Sequence, residues 1–502
     1  MRIRGFCRLF LLAGALALAG CGDEQTGPIR VSAIGGPPQL ANPNLRPLDP
    51  PAAFLTDALA QGLVRFDGSG EIEPALAQSW IVSDDGLRYT FRIRRATWAL
   101  DGSPVTAQQV AARLRAALSR ASRNPFKPIL GAVESVTPMT DFVLEIALRG
   151  PRPNFLQLLA HPELAILQND GGTGPYRLVR AEPEGLRLSY LRTEEESEES
   201  AAQTPDVLLR GEGAAMAVAR FAAGDTDLVL GGTAGDLPFA RNADLPANRL
   251  IFDPVGGLFG LAFGSNRGPL ADATLRRALA MAIDRDALAA AIGAPRATGR
   301  LSLVAPGVQE LPSPAMPDWA AMPLPDRQAA AARLIAGLNR GPNAGSNAGP
   351  NAAPAAAAPL HLRVAMPDAP GDTLLFAYLR RDWRAIGVEA ERVPAGAPAD
   401  LLLIDQVAPT NVASWYLRHF TCDASAICDT EADKVLDAAR AAPNAAERQA
   451  QLAAADRILT GLVPFIPLTA PVRWSLVSPR LAGFRPNPFA QHPAVALIAE
   501  EP

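Results

Sequence analysis

The sequence predicts an α/β fold made of several domains. Segments in which apolar and polar residues alternate, as in strands, take turns along the chain with segments whose apolar residues recur at helical spacing. The chain has 502 residues, which at about 150 residues per domain corresponds to roughly three units. Hydrophobic residues make up 48% of it and charged residues 20%, so the chain is long and apolar enough to bury a sizeable core.

Residues 1–20 have the pattern of a secretory signal peptide. Arginines within the first eight residues precede an apolar run at 9–19, which is about half the length that a membrane-spanning helix needs. The run ends in Leu18-Ala19-Gly20-Cys21, a motif that resembles the bacterial lipobox, in which the cysteine thiol accepts a diacylglycerol. We expect a lipid on Cys21, a polar tether at 21–30 and membrane contact through the lipid only. The alternative is cleavage at an ordinary small-residue site.

The remaining cysteines are expected to meet in an oxidising compartment. Cys7 leaves with the signal peptide and Cys21 carries the lipid, so Cys422 and Cys428 remain, six positions apart. We expect them to form a disulfide, which over so short a loop stabilises the fold by roughly 2 kcal/mol. The alternative is a pair of buried free thiols.

The first third of the chain is rich in strand patterns. Leu87, Tyr89, Phe91 and Ile93 alternate with polar residues, which is typical of a half-buried strand. The elements predicted here are a strand start and extended loop at 31–54, a helix at 54–64, a short helix or turn at 75–81, a strand at 87–94, a helix beginning at Thr106 and two strands within 135–148.

Strand and helix patterns alternate through the rest of the chain. A stripe of apolar residues at helical spacing predicts one long helix over 272–292. Further elements are a helix at 326–338, a strand at 360–365, a helix at 373–386 that ends at Gly387, a strand at 400–404 and a helix that begins at Asn444 with a capping-box-like Glu447. An acidic run at 194–200 is expected to be a solvated loop. A proline-rich, period-four repeat at 341–359 predicts a flexible surface insertion.

Composition and motifs argue against several classes of function. The 47 basic and 51 acidic residues give a net charge of −4, without the basic excess of a nucleic-acid-binding protein. The sequence has no phosphate-binding G-x-x-x-x-G-K-[ST] loop, no H-E-x-x-H and no G-x-S-x-G, and its four histidines stand far apart. We therefore expect no metal site, no cofactor and no catalysis. Because catalytic residues need not be local in sequence, this pattern shifts the balance towards binding.

Several segments in the same order resemble the extracytoplasmic solute-binding proteins of the peptide/nickel family, which serve ABC importers. The resemblance extends over about residues 55–490. It is carried by residues 62–66, 72–80, 83–94, 98–107, 172–176, 275–285, 386–388, 447–448 and 464–468.

This resemblance implies a two-lobed periplasmic binding protein-like fold with an extra inserted subdomain and a hinge between the lobes. Ligand would be buried between the lobes. The implied parts are lobe 1 at 31–52, 169–254 and 467–502, the inserted subdomain at 53–168, and lobe 2 at 255–466 with the flexible insertion at 341–359.

The resemblance also suggests ligand-binding residues, each with a structural alternative. Peptide-binding relatives carry a tryptophan and an aspartate after the strand that corresponds to 400–404, and this arrangement is not reproduced here. Asp405 takes the place of the group that pairs with a ligand amine, or it ends the strand. Trp415 and Tyr416 line the pocket, or they pack in the core. Gly257 and Phe259, at the crossing into lobe 2, meet ligand or serve the bend.

The function implied is that of a substrate-binding lipoprotein of an ABC importer. It would capture a peptide or another small solute as a monomer and deliver it to permease subunits in the inner membrane. A nickel chelate, haem, an opine or another solute remains open as the ligand. The alternative keeps the fold without import, as a lipoprotein sensor or a scaffold that binds a partner.

Overall fold

The computed structural model describes residues 27–98, 101–152, 154–168, 171–191, 204–340 and 360–497. The predicted signal peptide, Cys21, most of the tether, the acidic run and the 341–359 insertion lie outside the described residues. Within those ranges, no helix combines the length and the apolar character needed to cross a bilayer.

Lobe 1 is built on a mixed sheet whose described part has seven strands. In spatial order they are Leu250–Phe252 (β12), Trp474–Val477 (β18), Leu228–Gly232 (β11), Ile29–Ile34 (β1), Val207–Glu212 (β10), Gly185–Tyr190 (β9) and Tyr176–Glu182 (β8). The central β1 pairs in parallel with β10 and β11 and is completely buried at Ile29 and Val31. In the described residues, the helices of this lobe are Pro50–Leu59 (α1), Ala214–Ala222 (α5) and Leu237–Asn242 (α6).

Lobe 2 is built on a second mixed sheet, with five described strands. In spatial order they are Val388–Pro394 (β15), Leu360–Met366 (β14), Leu401–Val407 (β16), Gly257–Phe263 (β13) and Phe465–Thr469 (β17). Its helices are Ala273–Ala282 (α7), Arg285–Ile292 (α8), Leu324–Arg340 (α9), Pro370–Arg384 (α10), Ala413–Arg418 (α11), Thr430–Ala441 (α12) and Ala445–Leu462 (α13). The strands of this sheet all lie between residues 257 and 469, and β13 pairs with both β16 and β17.

The inserted subdomain has its own sheet and its own core. Its strands are Val64–Phe66 (β2) paired with Ile72–Pro74 (β3), and the antiparallel set Ala77–Val82 (β4), Arg88–Ile93 (β5), Val143–Leu148 (β7) and Val133–Thr140 (β6). Its helices are Ala107–Leu118 (α2), Lys127–Leu130 (α3) and Phe155–Ala160 (α4). On β5 the residues Tyr89, Phe91 and Ile93 are buried, which confirms the predicted half-buried strand. Short 3-10 turns in the chain lie at Pro162–Leu164, Ala247–Arg249, Gly268–Ala271 and Ala494–Ala496.

The chain crosses between the lobes on two neighbouring segments, which join β12 to β13 and β17 to β18. They are hydrogen-bonded to each other, because the Asp253 amide donates to the carbonyl of Arg473 at 3.0 Å. Two short extended crossings that run side by side allow the lobes to rotate about a common line.

Two predicted elements are wrong. The helix predicted over 272–292 is broken between α7 and α8, because Ile283 is extended and the Asp284 side chain caps the second helix by accepting from the Ala287 amide at 3.0 Å. The short helix or turn predicted at 75–81 is mostly strand β4, which pairs with β5.

Two of the predicted domain bounds fall inside continuous elements. The bound at 53 lies in α1, whose neighbours include β1, β8 and β10 of the lobe 1 sheet. The bound between 466 and 467 lies in β17, which pairs with β13 of lobe 2.

Candidate functional site

A cavity of about 420 Å³ lies where lobe 1, lobe 2 and the inserted subdomain meet. Lobe 1 contributes the first two turns of α1, the end of β11, residues 473–475 at the start of β18 and the C-terminal segment at 489–493. The subdomain contributes Phe66, Phe126 and residues 160–163, and lobe 2 contributes the end of β16. Because all three parts supply walls, the cavity exists in this form only when the lobes are together.

Aromatic rings make one side of the cavity apolar. The Phe66 and Phe489 rings are stacked with centroids 4.7 Å apart. The imidazole of His161 meets Phe66, Phe126 and Phe489 edge-on, at 4.9, 5.1 and 5.7 Å. These contacts hold His161 in one orientation with a low-dielectric surrounding.

His161 connects the subdomain to lobe 2. Its Nε2 lies 2.8 Å from the carbonyl oxygen of Pro409, and since a carbonyl only accepts, Nε2 carries the proton and donates. Burial lowers the pKa of His161 to about 4, so the ring is neutral near pH 7 and Nδ1 presents a lone pair.

Two carboxyl groups of the cavity have raised pKa values. Glu163 Oε2 lies 3.9 Å from His161 Nδ1 and has no hydrogen-bond partner among the described residues. Burial raises the pKa of Glu163 to about 7. Burial also raises the pKa of Asp57, on α1, to about 6, against the opposing charge of Arg65.

Asp405 lines the cavity and is paired with a cation of the chain itself. Arg473 Nη1 donates to Asp405 Oδ1 at 2.8 Å, and Arg473 Nη2 donates to the Asp405 carbonyl oxygen at 3.3 Å. The pair links the end of β16 to the segment that joins β17 to β18. A ligand amine at Asp405 would therefore compete with Arg473.

A second buried pair lies at the lobe 1 side of the cavity. His492 Nε2 is 3.1 Å from Asp253 Oδ2, and the two side chains are almost completely buried. Asn487 Nδ2 lies 3.4 Å from His492 Nδ1, so the polar atoms of His492 are engaged on both sides. Like Asp405, the Asp253 carboxylate already has a partner within the protein.

The other residues predicted to meet ligand lie elsewhere. Trp415 and Tyr416 are 6% and 1% exposed and pack in the helical core of lobe 2, which is the alternative left open for them. Phe259 is buried in the main core of lobe 2. Gly257 has φ +152°, and a Cβ there would lie 2.0 Å from the Gln406 carbonyl oxygen. Close approach of β13 to β16 therefore requires glycine at this position.

Cys422 and Cys428 form a disulfide with their Cα atoms 5.0 Å apart. It closes the loop between α11 and α12, in lobe 2. No group of three or more histidine, cysteine or carboxylate side chains is arranged to hold a metal ion within the described part of the chain.

Sequence reasoning missed the cavity residues Asp57, His161, Glu163 and Arg473. Each stands in an ordinary local context, and they come from α1, from the turn after α4 and from the segment before β18, which are far apart in the sequence. One usable signal existed: histidine occurs four times in the chain, and both His161 and His492 line this cavity.

Comparison with known proteins places the chain in a family. The family model described as bacterial extracellular solute-binding proteins, family 5 (middle part), matches residues 71–402. The nickel-binding periplasmic protein of Escherichia coli K12 is 26% identical over 301 residues, which cover 56% of this chain and 55% of that protein. The chain thus spans about half the length of that curated relative.

Solved structures share the whole architecture. Haemophilus influenzae OppA in complex with the peptide RPPGFSPFR superposes with a TM-score of 0.79 at 19% identity, covering 94% of this chain and 99% of OppA. The Escherichia coli murein tripeptide binding protein MppA gives a TM-score of 0.77 at 21% identity, covering 93% and 98%. An unliganded open form of MppA gives a TM-score of 0.62 at 22% identity, covering 93% of this chain and 96% of that chain.

The family match covers more than half of the chain, and the structures above share its two α/β lobes. The chain therefore belongs to family 5 of the bacterial extracellular solute-binding proteins.

Proposed function

We propose that the protein captures a small solute between its lobes and delivers it to the permease of an ABC importer. The observation that supports this function is the cavity of about 420 Å³ at the junction of both lobes and the subdomain. Its volume lies within the roughly 300–1,000 Å³ of small-molecule sites. A peptide-like solute of a few residues or a compact organic solute suits it better than a long peptide.

Closure is the step that binding energy drives. Ligand stabilises the closed form only through contacts that the open form lacks. Here both lobes and the subdomain wall the cavity, and the His161–Pro409 hydrogen bond joins the subdomain to lobe 2. Opening at the permease removes those contacts and releases the solute.

The first test is a thermal-shift screen of the mature chain with Cys21→Ser, using peptide, metal-chelate and amine libraries. A solute present at about 100 times its Kd adds ~2.7 kcal/mol to stability, which appears as a raised Tm. Native mass spectrometry of protein purified without refolding identifies any solute that it carries.

A blocked cavity supplies the control. Ala53 lines the cavity on α1, so Ala53→Trp fills it and should abolish the shift given by any hit. Ala112 is exposed on α2, so Ala112→Trp should leave that shift unchanged. A library without hits, or a hit that Ala53→Trp leaves intact, contradicts capture in this cavity.

We infer that Cys21 carries lipid and anchors the protein, which acts as a monomer, to a membrane. Support comes from the lipobox-like residues 18–21. Metabolic labelling with a palmitate analogue should mark the full chain, and Cys21→Ser should abolish the label and release the protein from membranes. A labelled Cys21→Ser protein, or an unlabelled parent chain, contradicts the anchor.

A test of delivery to a permease distinguishes an import function from a sensing function. In proteoliposomes with the permease and ATPase of the same transporter, the protein and its solute should stimulate ATP hydrolysis. Binding of solute without such stimulation favours the alternative, a lipoprotein sensor or scaffold.

A further inference from the structure

Two hydrogen-bond acceptors of the cavity wall lie close to each other. They are His161 Nδ1 and Glu163 Oε2, 3.9 Å apart. The Pro409 carbonyl oxygen accepts from the protonated Nε2 of the same ring, so Nδ1 is an acceptor. His161 is 4% exposed, and among the described residues Glu163 Oε2 has no partner. At 3.9 Å the two atoms are too far apart to hydrogen-bond to each other.

The spacing of the two acceptors fits one nitrogen donor. A nitrogen about 2.9 Å from both atoms closes a triangle on the 3.9 Å base. Such a nitrogen must carry at least two N–H groups that point in different directions. An ammonium group has three.

The charges around the cavity favour a cation over a neutral amide. Of the carboxylates that line it, Asp405 is paired with Arg473 and Asp253 with His492. Asp49 accepts from the Ala52 amide as the cap of α1. Of the remaining two, Asp57 is already subject to the charge of Arg65, and Glu163 Oε2 has no partner among the described residues. A ligand cation would donate a charge-assisted hydrogen bond to Glu163.

A metal ion fits this place poorly. Within the described ranges, no three potential ligands converge to hold one. Two acceptors 3.9 Å apart on one side of an apolar cavity leave most of the coordination shell of a metal ion unfilled.

The geometry points to a solute with a primary ammonium group, held between His161 Nδ1 and Glu163 Oε2. This inference rests on the proposed function, since it assigns the solute class of the same cavity. It also connects recognition to closure. Pro409 belongs to lobe 2, so closing the lobes fixes the Nε2–H form of His161 and thereby creates the Nδ1 acceptor. The ammonium group consequently binds the closed form better.

The test compares phenethylamine with N-acetylphenethylamine, which differ in the ammonium group and share the aromatic ring. Calorimetric titration of the mature Cys21→Ser protein near neutral pH should show phenethylamine binding at least tenfold more tightly. Glu163→Gln keeps the size of the side chain and removes the charge, so it should bring the preference below about threefold. Glu134 is exposed in the same subdomain, and Glu134→Gln should leave the preference unchanged.

Equal binding of the two probes, tighter binding of the acetylated probe, or no binding of phenethylamine overturns the inference. A preference that survives Glu163→Gln overturns it as well. The proposed function is judged separately: a solute from the screen whose thermal shift is lost in Ala53→Trp upholds capture in the cavity even when the ammonium subsite fails.

Discussion

His161 shows how burial changes the protonation of a side chain. Exposed histidine titrates near pH 6.5 and acts as a pH switch. Burial among Phe66, Phe126 and Phe489 lowers the pKa of His161 to about 4, which keeps it neutral and makes it a fixed donor on one side and a fixed acceptor on the other. We therefore expect the pH dependence of ligand binding to come from the carboxyl groups of the cavity.

The amine affinity of the cavity should rise with pH. The pKa of Glu163 is raised to about 7 and that of Asp57 to about 6, so both are partly protonated in mildly acidic solution. An ammonium group binds the ionised forms, and its binding releases protons. Phenethylamine affinity should therefore increase from about pH 5.5 to about pH 8 and then level off. Titration in buffers of different ionisation enthalpy measures the protons released.

In Glu163→Gln the rise should keep only the part that Asp57 contributes, centred nearer pH 6. An affinity that falls with pH over this range contradicts the role of these carboxyl groups.

The same carboxyl group should cost stability when the cavity is empty. Burial raises the pKa of Glu163 in the folded protein from its ordinary value of 4.5 to about 7, so folding favours its protonated form. Its stabilising effect is complete below about pH 4.5 and is lost as the pH rises to about 7. Glu163→Gln should therefore raise the free energy of unfolding of the ligand-free protein near pH 8 by ~3 kcal/mol at most, and its Tm with it.

Near pH 4 the Tm of Glu163→Gln should match that of the parent protein. The control variant Glu134→Gln should change the Tm little at both pH values. A lower Tm for Glu163→Gln near pH 8 would show that the carboxylate stabilises the empty protein.

At the scale of elements, the start of a helix was predictable from the sequence where neighbouring residues determine it. Asn444 caps α13 by accepting from the Glu447 amide at 2.9 Å, and Thr106 caps α2. Both starts were predicted. The break after Ile283 was missed because the apolar stripe continues across it, and the break depends on Asp382 of α10, whose Oδ2 accepts from the Asp284 amide at 2.9 Å. A contact so distant in sequence leaves no local signal.

The N-cap of α13 gives a direct test of this local control. Asn444→Ala removes the acceptor of the Glu447 amide and should lower the free energy of unfolding by about 1 kcal/mol. Asn444→Asp keeps an acceptor at the cap and should restore most of that loss. Denaturant unfolding followed by circular dichroism measures the difference. An Asn444→Ala protein as stable as the parent would show that the cap does not contribute to stability.

At the scale of the whole molecule, the two lobes were predictable and the contents of the cleft were not. The resemblance spans elements of both lobes in order, so it implies the architecture. The cavity depends on which side chains meet when distant segments close. Asp405, chosen from the sequence, lines the cavity but pairs with Arg473, whereas His161 and Glu163 come from a turn without a motif.

The interface between the lobes contains a repulsion that should favour opening. The Gly371 amide of α10 donates to the Gly235 carbonyl of lobe 1 at 2.8 Å, which brings Asp372 close to Asp236. Burial, followed by the charges of Asp236 and Asp405, raises the pKa of Asp372 to about 7, and Arg392 opposes this rise. Separation of the lobes returns water to Asp372, so its ionisation favours the open form above about pH 7.

Asp372→Asn should shift the ligand-free protein towards the closed form. The substitution removes a charge that is buried only on closure, while the amide keeps the size of the side chain. Small-angle X-ray scattering near pH 8 should give a smaller radius of gyration than for the parent protein, and any solute found in the screen should bind more tightly and leave more slowly. Near pH 5 the two proteins should scatter alike, because Asp372 is then protonated in the closed form.

Asp326 is exposed near the start of α9, and Asp326→Asn removes a charge of the same sign from the same lobe. This control should leave the radius of gyration unchanged at both pH values. If Asp372→Asn expands the protein, or acts no differently from Asp326→Asn, the charge of Asp372 has no part in opening.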